Sequence, residues 1–225
     1  ECLPEIQVNP TIRYARLYQN WTDARWEPGA LLETRQRVLD SLNTGKYNIA
    51  THVGHGYRNV MSVGDANLTN GDAEGLTNGN GLFNLYASNC TSNAIDFPSI
   101  GEAFLHAPNG GAVTNIGSSR FDFPSAGREY QREFFRLIYS DSITAIGELQ
   151  ARQKIPYIGF SDEDYVHRWT QMTLLLLGDP ELRVWTGTPR ALTVTHAPSM
   201  ALGDTAFGVQ VQVGGSPIEN ARVTL

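Results

Sequence analysis

The chain has 225 residues, enough for one α/β domain or for one domain plus part of another. Its apolar share of 41% fits a packed core, and its net charge of −6 comes without the clustered Lys and Arg that phosphate binding needs, so no nucleic-acid partner is expected. The longest aliphatic run, residues 174–177, is far too short for a membrane span, and two cysteines do not make a disulfide framework.

In chain order, residues 11–18 (TIRYARLY) alternate β-branched and aromatic positions and predict a strand. Residues 29–45 predict a helix, with Leu31, Val38, Leu39 and Leu42 on one face and Gly45 just past the end. YNIATHVG, residues 47–54, predicts a buried strand. A polar stretch rich in Gly and Asn follows, residues 65–81. LFNLYAS predicts the next strand, SIGEAFLH a short helix and GAVTNIGSS a further strand.

Three helices are then expected. Residues 125–139 put Tyr130, Phe134, Leu137 and Ile138 on one stripe. Residues 143–153 form a shorter helix. Residues 162–177 bring Val166, Trp169, Thr173 and Leu176 together, with Ser161 as N-cap. GDPELRVW, residues 178–185, returns to a strand. Strands alternating with helices imply an α/β fold, a mainly parallel sheet with helices on both faces.

After Pro189 the texture changes. No helical period remains, and FGVQVQV and ARVTL alternate between Gly and Pro turns. This reads as the start of a β-sandwich, about a third of the length such a domain needs. The expected organisation is an α/β domain over residues 1–188 and a truncated β domain over 189–225.

Cys90 closes an apolar strand and precedes Thr91, Ser92 and Asn93. That places a thiol at the C-terminal edge of a sheet, where α/β folds bind ligands. Taken alone, Cys90 also fits a buried thiol acting as a small hydrophobe. His55 ends the preceding strand and is followed by Gly56. If the two strands are neighbours, a histidine and a thiol emerge at one edge, the pairing that makes a nucleophilic thiolate. Gly56, without a side chain, allows its N–H to join that of Cys90 in an oxyanion hole. His52 falls on the other strand face and reads as structural. Zinc needs more ligands than His52, His55 and the scattered His106 and His167 offer, so no metal or cofactor is expected at this site. DANLTNGD, residues 65–72, lacks the Gly and Glu of a calcium loop, with Asn70 and Leu76 in their places.

Four blocks in order, HVGHG, LTNGNGLFNLYASNC, IGEAFLHAPNGGAVTNIGSS and LLLLGDPELRVW, resemble the gingipain family of cysteine peptidases, from about residue 47 to residue 185. The resemblance implies a caspase-like fold, with His55 as general base and Cys90 as nucleophile. It also implies an immunoglobulin-like domain after the Gly-Asp-Pro block, at the texture change after Pro189. Family domains begin well before the histidine. Part of the N-terminal sheet is then missing here, or is supplied by an N-terminal fragment of the same precursor. Family members can orient the histidine with an upstream carboxylate, for which Asp23, Glu27 and Glu33 are candidates. Asn89 stands where Ala is more usual.

Asn89, Ser118, Ser119 and Arg120 are expected to wall the substrate pocket. The resemblance leaves room for a structural calcium ion. A bacterial protein, secreted or at the cell surface, is implied, and the wealth of Asn, Gly and Thr suits that. The expected activity is cysteine endopeptidase cleavage of protein or peptide substrates through a thioester acyl-enzyme. Two alternatives stay open: a sortase-like transpeptidase of a secretion system, and an inactive surface module for binding or adhesion.

Overall fold

The run FNLYAS forms the strand Phe83–Ser88, buried at every position. A strand with no solvated face belongs in the middle of a sheet covered on both sides. In the computed structural model, which describes residues 3–7, 10–19 and 29–224, it lies there. The main sheet runs in spatial order Ile49–Val53, Phe83–Ser88, Ala112–Ser118, Leu174–Leu177. The first three strands are parallel and the fourth is antiparallel. The parallel strands therefore end at one edge, and the fourth begins there, with Leu174 opposite Ser118.

Alternation along the strands decides the two faces. Tyr86 and Ile116 pack against Tyr130, Phe134, Leu137 and Ile138 of helix Pro124–Tyr139 and against Ile146 and Leu149 of helix Ile146–Arg152. Phe83, Leu85 and Ala87 point the other way, onto Ile100, Ala103 and Phe104 of helix Ile100–Leu105. Met61 and Leu68 join that second core from a small antiparallel sheet, Gly56–Tyr57, Val60–Val63 and Ala66–Thr69. The α/β fold with helices on both faces is as the sequence implies.

Local signals set the helix starts. Ser99 and Glu102 form a reciprocal capping box at Ile100–Leu105, and Thr69 and Asp72 form another at Asn70–Glu74. Glu102 is thus structural. Asp65 accepts from Arg35 N–H at 3.0 Å and Asp72 pairs with the Arg35 side chain, so the oxygen-rich stretch 65–72 is a strand and a cap.

Several expected elements differ. Only Leu17–Tyr18 of residues 11–18 is a strand, paired with Leu31–Leu32, so the expected helix over 29–45 shortens to Arg35–Asn43 with Thr34 as N-cap. The expected helix over 162–177 covers only Tyr165–Thr173, and Asp164, not Ser161, caps it. Its last four residues are the fourth sheet strand, because an all-leucine run buried against Ala112–Ser118 satisfies its backbone in the ladder. Residues 178–185 retain a single bridge, Arg183 to Ala145, in place of a strand. Trp185 is 57% exposed.

The chain divides into two units, residues 1–186 and 187–225. In the second, Thr193–His196, Val209–Val213 and Ser216–Pro217 make a three-stranded antiparallel sheet. Leu192, Val194, Val211 and Ile218 share an open apolar hollow on it.

Candidate active site

The strand Ile49–Val53 leads directly into Gly54, His55 and Gly56. Gly54 N–H donates to the Ser88 carbonyl at 3.2 Å, which carries the parallel pairing one step past the strand end. The chain then enters the hairpin, and the His55 carbonyl accepts from Ser62 N–H at 2.9 Å. The backbone around His55 is held on both sides. Its imidazole is exposed and has no hydrogen-bond partner among the described residues.

Gly56 lies against the loop that carries Cys90. A Cβ placed there would sit 2.8 Å from the Cys90 carbonyl oxygen and 2.8 Å from Asn89 Cγ. Real Cβ atoms do not approach so closely, so only glycine permits this contact between the two loops.

His52 is occupied elsewhere. Its Nε2 lies 2.7 Å from the Ser62 carbonyl, an acceptor only, so Nε2 carries the proton. Nδ1 is then left to accept from Asn89 Nδ2 at 3.0 Å. Burial holds its pKa below the ordinary histidine value, opposed by the Ser62 bond. His52 is a neutral strut that positions Asn89, the residue before the thiol.

Cys90 is a free, half-buried thiol. The Asp122 N–H donates to its Sγ at 3.4 Å, and Sγ lies 4.0 Å from the Asp122 carbonyl. The Asp122 carboxyl accepts from Ser88 Oγ at 3.0 Å. Burial pushes its pKa up, against the Ser88 and Phe123 hydrogen bonds. The residue after the thiol, Thr91, has φ 53°, a left-handed conformation that a β-branched residue rarely adopts. It is held there by its N–H donating to the Arg120 carbonyl at 2.8 Å. Strain of this kind persists where surrounding structure imposes it, and it is characteristic of active-site turns.

Two buried amides brace the same loop. Asn115 Nδ2 donates to Asn93 Oδ1 at 2.8 Å, and Asn93 Nδ2 donates to the Asn115 carbonyl at 3.2 Å and to Leu175 at 3.3 Å. The loop that carries Cys90 is thereby tied to two strands of the sheet.

A cleft of about 250 Å³ opens beside Cys90, between Thr91, Tyr57, Arg58, Phe97, Phe121 and Trp169. Of the expected pocket walls, Ser119 and Arg120 line this cleft. Asn89 and Ser118, only 2% and 1% exposed, turn to internal partners, His52 for Asn89 and Arg120 N–H for Ser118. Trp169 is 39% exposed and faces the cleft, its indole N–H on the Phe121 carbonyl at 2.7 Å. Of the upstream carboxylates, Glu33 accepts from Gly64 N–H at 2.9 Å. Asp23 and Glu27 lie outside the described residues.

The model of peptidase family C25 matches residues 5–185. The chain belongs to this family. No curated protein sequence matches it. Among solved structures, the Arg-specific cysteine proteinase gingipain R is similar with a TM-score of 0.67 at 21% identity, over 83% of this chain and 44% of that one. A complex of the pro- and mature domains of RgpB from Porphyromonas gingivalis gives 0.66 at 22%, over 83% and 44%. A structure described as a protease gives 0.63 at 17%, over 78% and 43%. At such identities the likeness is one of fold, and it bears out the gingipain-type, caspase-like fold. This C25 chain spans less than half the length of the solved structures it matches.

Sequence reasoning named His55, Gly56 and Cys90, which the structure brings to one edge of the sheet, and did not anticipate Asp122 or the Asn93–Asn115 pair. The signals available were an Asp two residues before the helix-starting Pro124 and an Asn inside the apolar run AVTNIGS.

Proposed function

We propose that this C25 chain carries the reactive centre of a secreted or cell-surface cysteine endopeptidase, with Cys90 as nucleophile and His55 as base. His55 takes the Cys90 proton as the sulfur attacks the scissile carbonyl carbon. The N–H groups of Gly56 and Cys90 face the developing oxyanion. As the C–N bond breaks, His55 gives its proton to the leaving amine, and a thioester remains. Water then attacks, with His55 again taking a proton, and the acid product leaves with the thiol restored.

One observation carries this reading. Two neighbouring parallel strands end in His55-Gly56 and Asn89-Cys90, and Gly56 is pressed against the Cys90 carbonyl. A structural thiol and a turn histidine have no need of that approach. An N-terminal segment of the same precursor, completing the sheet beyond Ile49–Val53, accords with the length of the solved relatives.

The test is an iodoacetamide pulse at pH 6 followed by intact-mass measurement on the full-length protein. An ordinary thiol is mostly protonated there. Rapid labelling at Cys90, slowed at least tenfold in His55→Ala, together with casein cleavage abolished in Cys90→Ala, is expected. Slow labelling indifferent to His55 defeats the dyad.

A further inference from the structure

The cleft beside Cys90 contains an arginine without an anion. Arg58 lies three residues after His55, near the hairpin tip, with its guanidinium 3.5 Å from the Phe97 ring centroid and 5.0 Å from that of Tyr57. It has no carboxylate partner among the described residues. Arg120, in the same cleft, pairs with Asp96 through contacts of 3.0 Å and 3.5 Å. Asp96 is therefore neutralised, and Arg58 leaves the cleft with one net positive charge.

A guanidinium held against aromatic faces is weakly hydrated and keeps its in-plane N–H groups free for a carboxylate. The surrounding Tyr57, Phe97, Phe121 and Trp169 suit the methylene stem of such a side chain. The cleft also has a side. It is bounded by Thr91, which follows Cys90, by Tyr57 and Arg58, which follow His55, and by residues 119–121, which lead to Asp122 on the Cys90 sulfur. Tyr57 and Arg58 belong to the hairpin that directly follows His55, the group that protonates the leaving amine in the proposed reaction, so the leaving segment of a substrate is directed toward this cleft.

We propose that Arg58 is a specificity-determining residue that selects an acidic side chain, Glu or Asp, on the leaving-group side of the scissile bond. This rests on the cysteine-peptidase reading of Cys90 and His55.

The experiment profiles cleavage of a tryptic and a chymotryptic peptide mixture by the full-length protein, reading residues on both sides of each cut by mass spectrometry. The preferred acyl-side residue is then fixed, and fluorogenic peptides differing only in Glu, Ala or Lys at the first and second leaving-group positions are compared. Glu is expected to exceed Lys by about tenfold in kcat/KM at one of these positions. Arg58→Lys keeps most of that preference, Arg58→Gln removes it, and Arg58→Glu reverses it. Equal kcat/KM for the three peptides, or a preference that survives Arg58→Gln, overturns the role of Arg58 and leaves the peptidase reading intact. No Cys90-dependent cleavage of any peptide overturns both.

Discussion

The main-chain N–H of Asp122 donates to the Cys90 sulfur at 3.4 Å, while the carboxyl of the same residue is buried on Ser88. The residue thus acts on the thiol in two opposed ways. Its N–H favours negative charge on sulfur, and its carboxylate disfavours it. Asp122→Asn keeps the N–H and removes the charge. Labelling of Cys90 at pH 6 is expected to accelerate about threefold or more in this variant. An unchanged rate would show that the carboxyl is electrostatically silent at the sulfur.

The same carboxyl links stability to pH. Burial raises the Asp122 pKa above the ordinary aspartate value of 3.8. A raised acid favours the folded state below the ordinary value and loses that contribution as pH rises through the folded pKa. Asp122→Asn is therefore expected to melt above wild type at pH 7, with the difference closing as pH falls toward 3.8. Melting curves at pH 7, 5 and 4 check this, and a gap that widens on acidification contradicts it.

His52 behaves in the opposite sense. Its pKa is depressed below the ordinary 6.5 because the folded state excludes water from the ring. Below pH 6.5 the unfolded chain takes up a proton that the folded chain refuses, so this stabilisation is lost as pH falls toward the folded pKa. Urea midpoints between pH 7 and 5 are expected to drop in wild type and in His55→Ala, and to drop less in His52→Gln. His52→Gln should also retain measurable activity, since Gln can still reach the Ser62 carbonyl, whereas His55→Ala should not.

Gly56→Ala tests the contact between the two loops. The added methyl must displace the Asn89 side chain or the Cys90 carbonyl, both at 2.8 Å. Overpacking of this sort costs about 1–3 kcal/mol. If the Gly56 and Cys90 N–H groups are the oxyanion donors, as proposed, their displacement is expected to lower kcat by about a hundredfold or more. Wild-type kcat in Gly56→Ala would remove Gly56 from the reactive centre.

Thr91→Gly separates strain from stability. A left-handed φ of 53° costs a β-branched residue about 1–2 kcal/mol, and Thr91 Oγ1 is buried without a partner. Glycine carries no such penalty but adds freedom to the unfolded chain, about 0.5–1 kcal/mol. The variant is expected to be as stable as wild type or up to about 1 kcal/mol more so, with kcat reduced because the loop presenting Cys90 is looser. Clear destabilisation in urea would show that Thr91 is not strained.

Much of this was legible in the sequence because it is local. Phe83, Leu85, Tyr86 and Ala87 in FNLYAS marked a strand, and the Tyr130–Ile138 stripe marked a helix face. The misread elements are those in which local preference lost to pairing. The four leucines 174–177 extend a helical pattern yet lie in the sheet, because the Ala112–Ser118 edge offers them hydrogen bonds and burial. The polar stretch after His55 hid a hairpin and a strand for the same reason.

The residues of the proposed reactive centre divide along the same line. By itself the sequence determined that a histidine-glycine pair and a cysteine each follow an apolar strand, since strand character and the glycine between them are properties of contiguous residues. Only the tertiary structure decided that these strands are parallel neighbours, that His52 is held by Asn89 and Ser62 while the His55 ring has no hydrogen-bond partner among the described residues, and that Asp122, thirty-two residues beyond Cys90, lies on the sulfur. Those relations depend on which strand ends share an edge of the sheet. That is set by long-range burial, which no window of adjacent residues encodes.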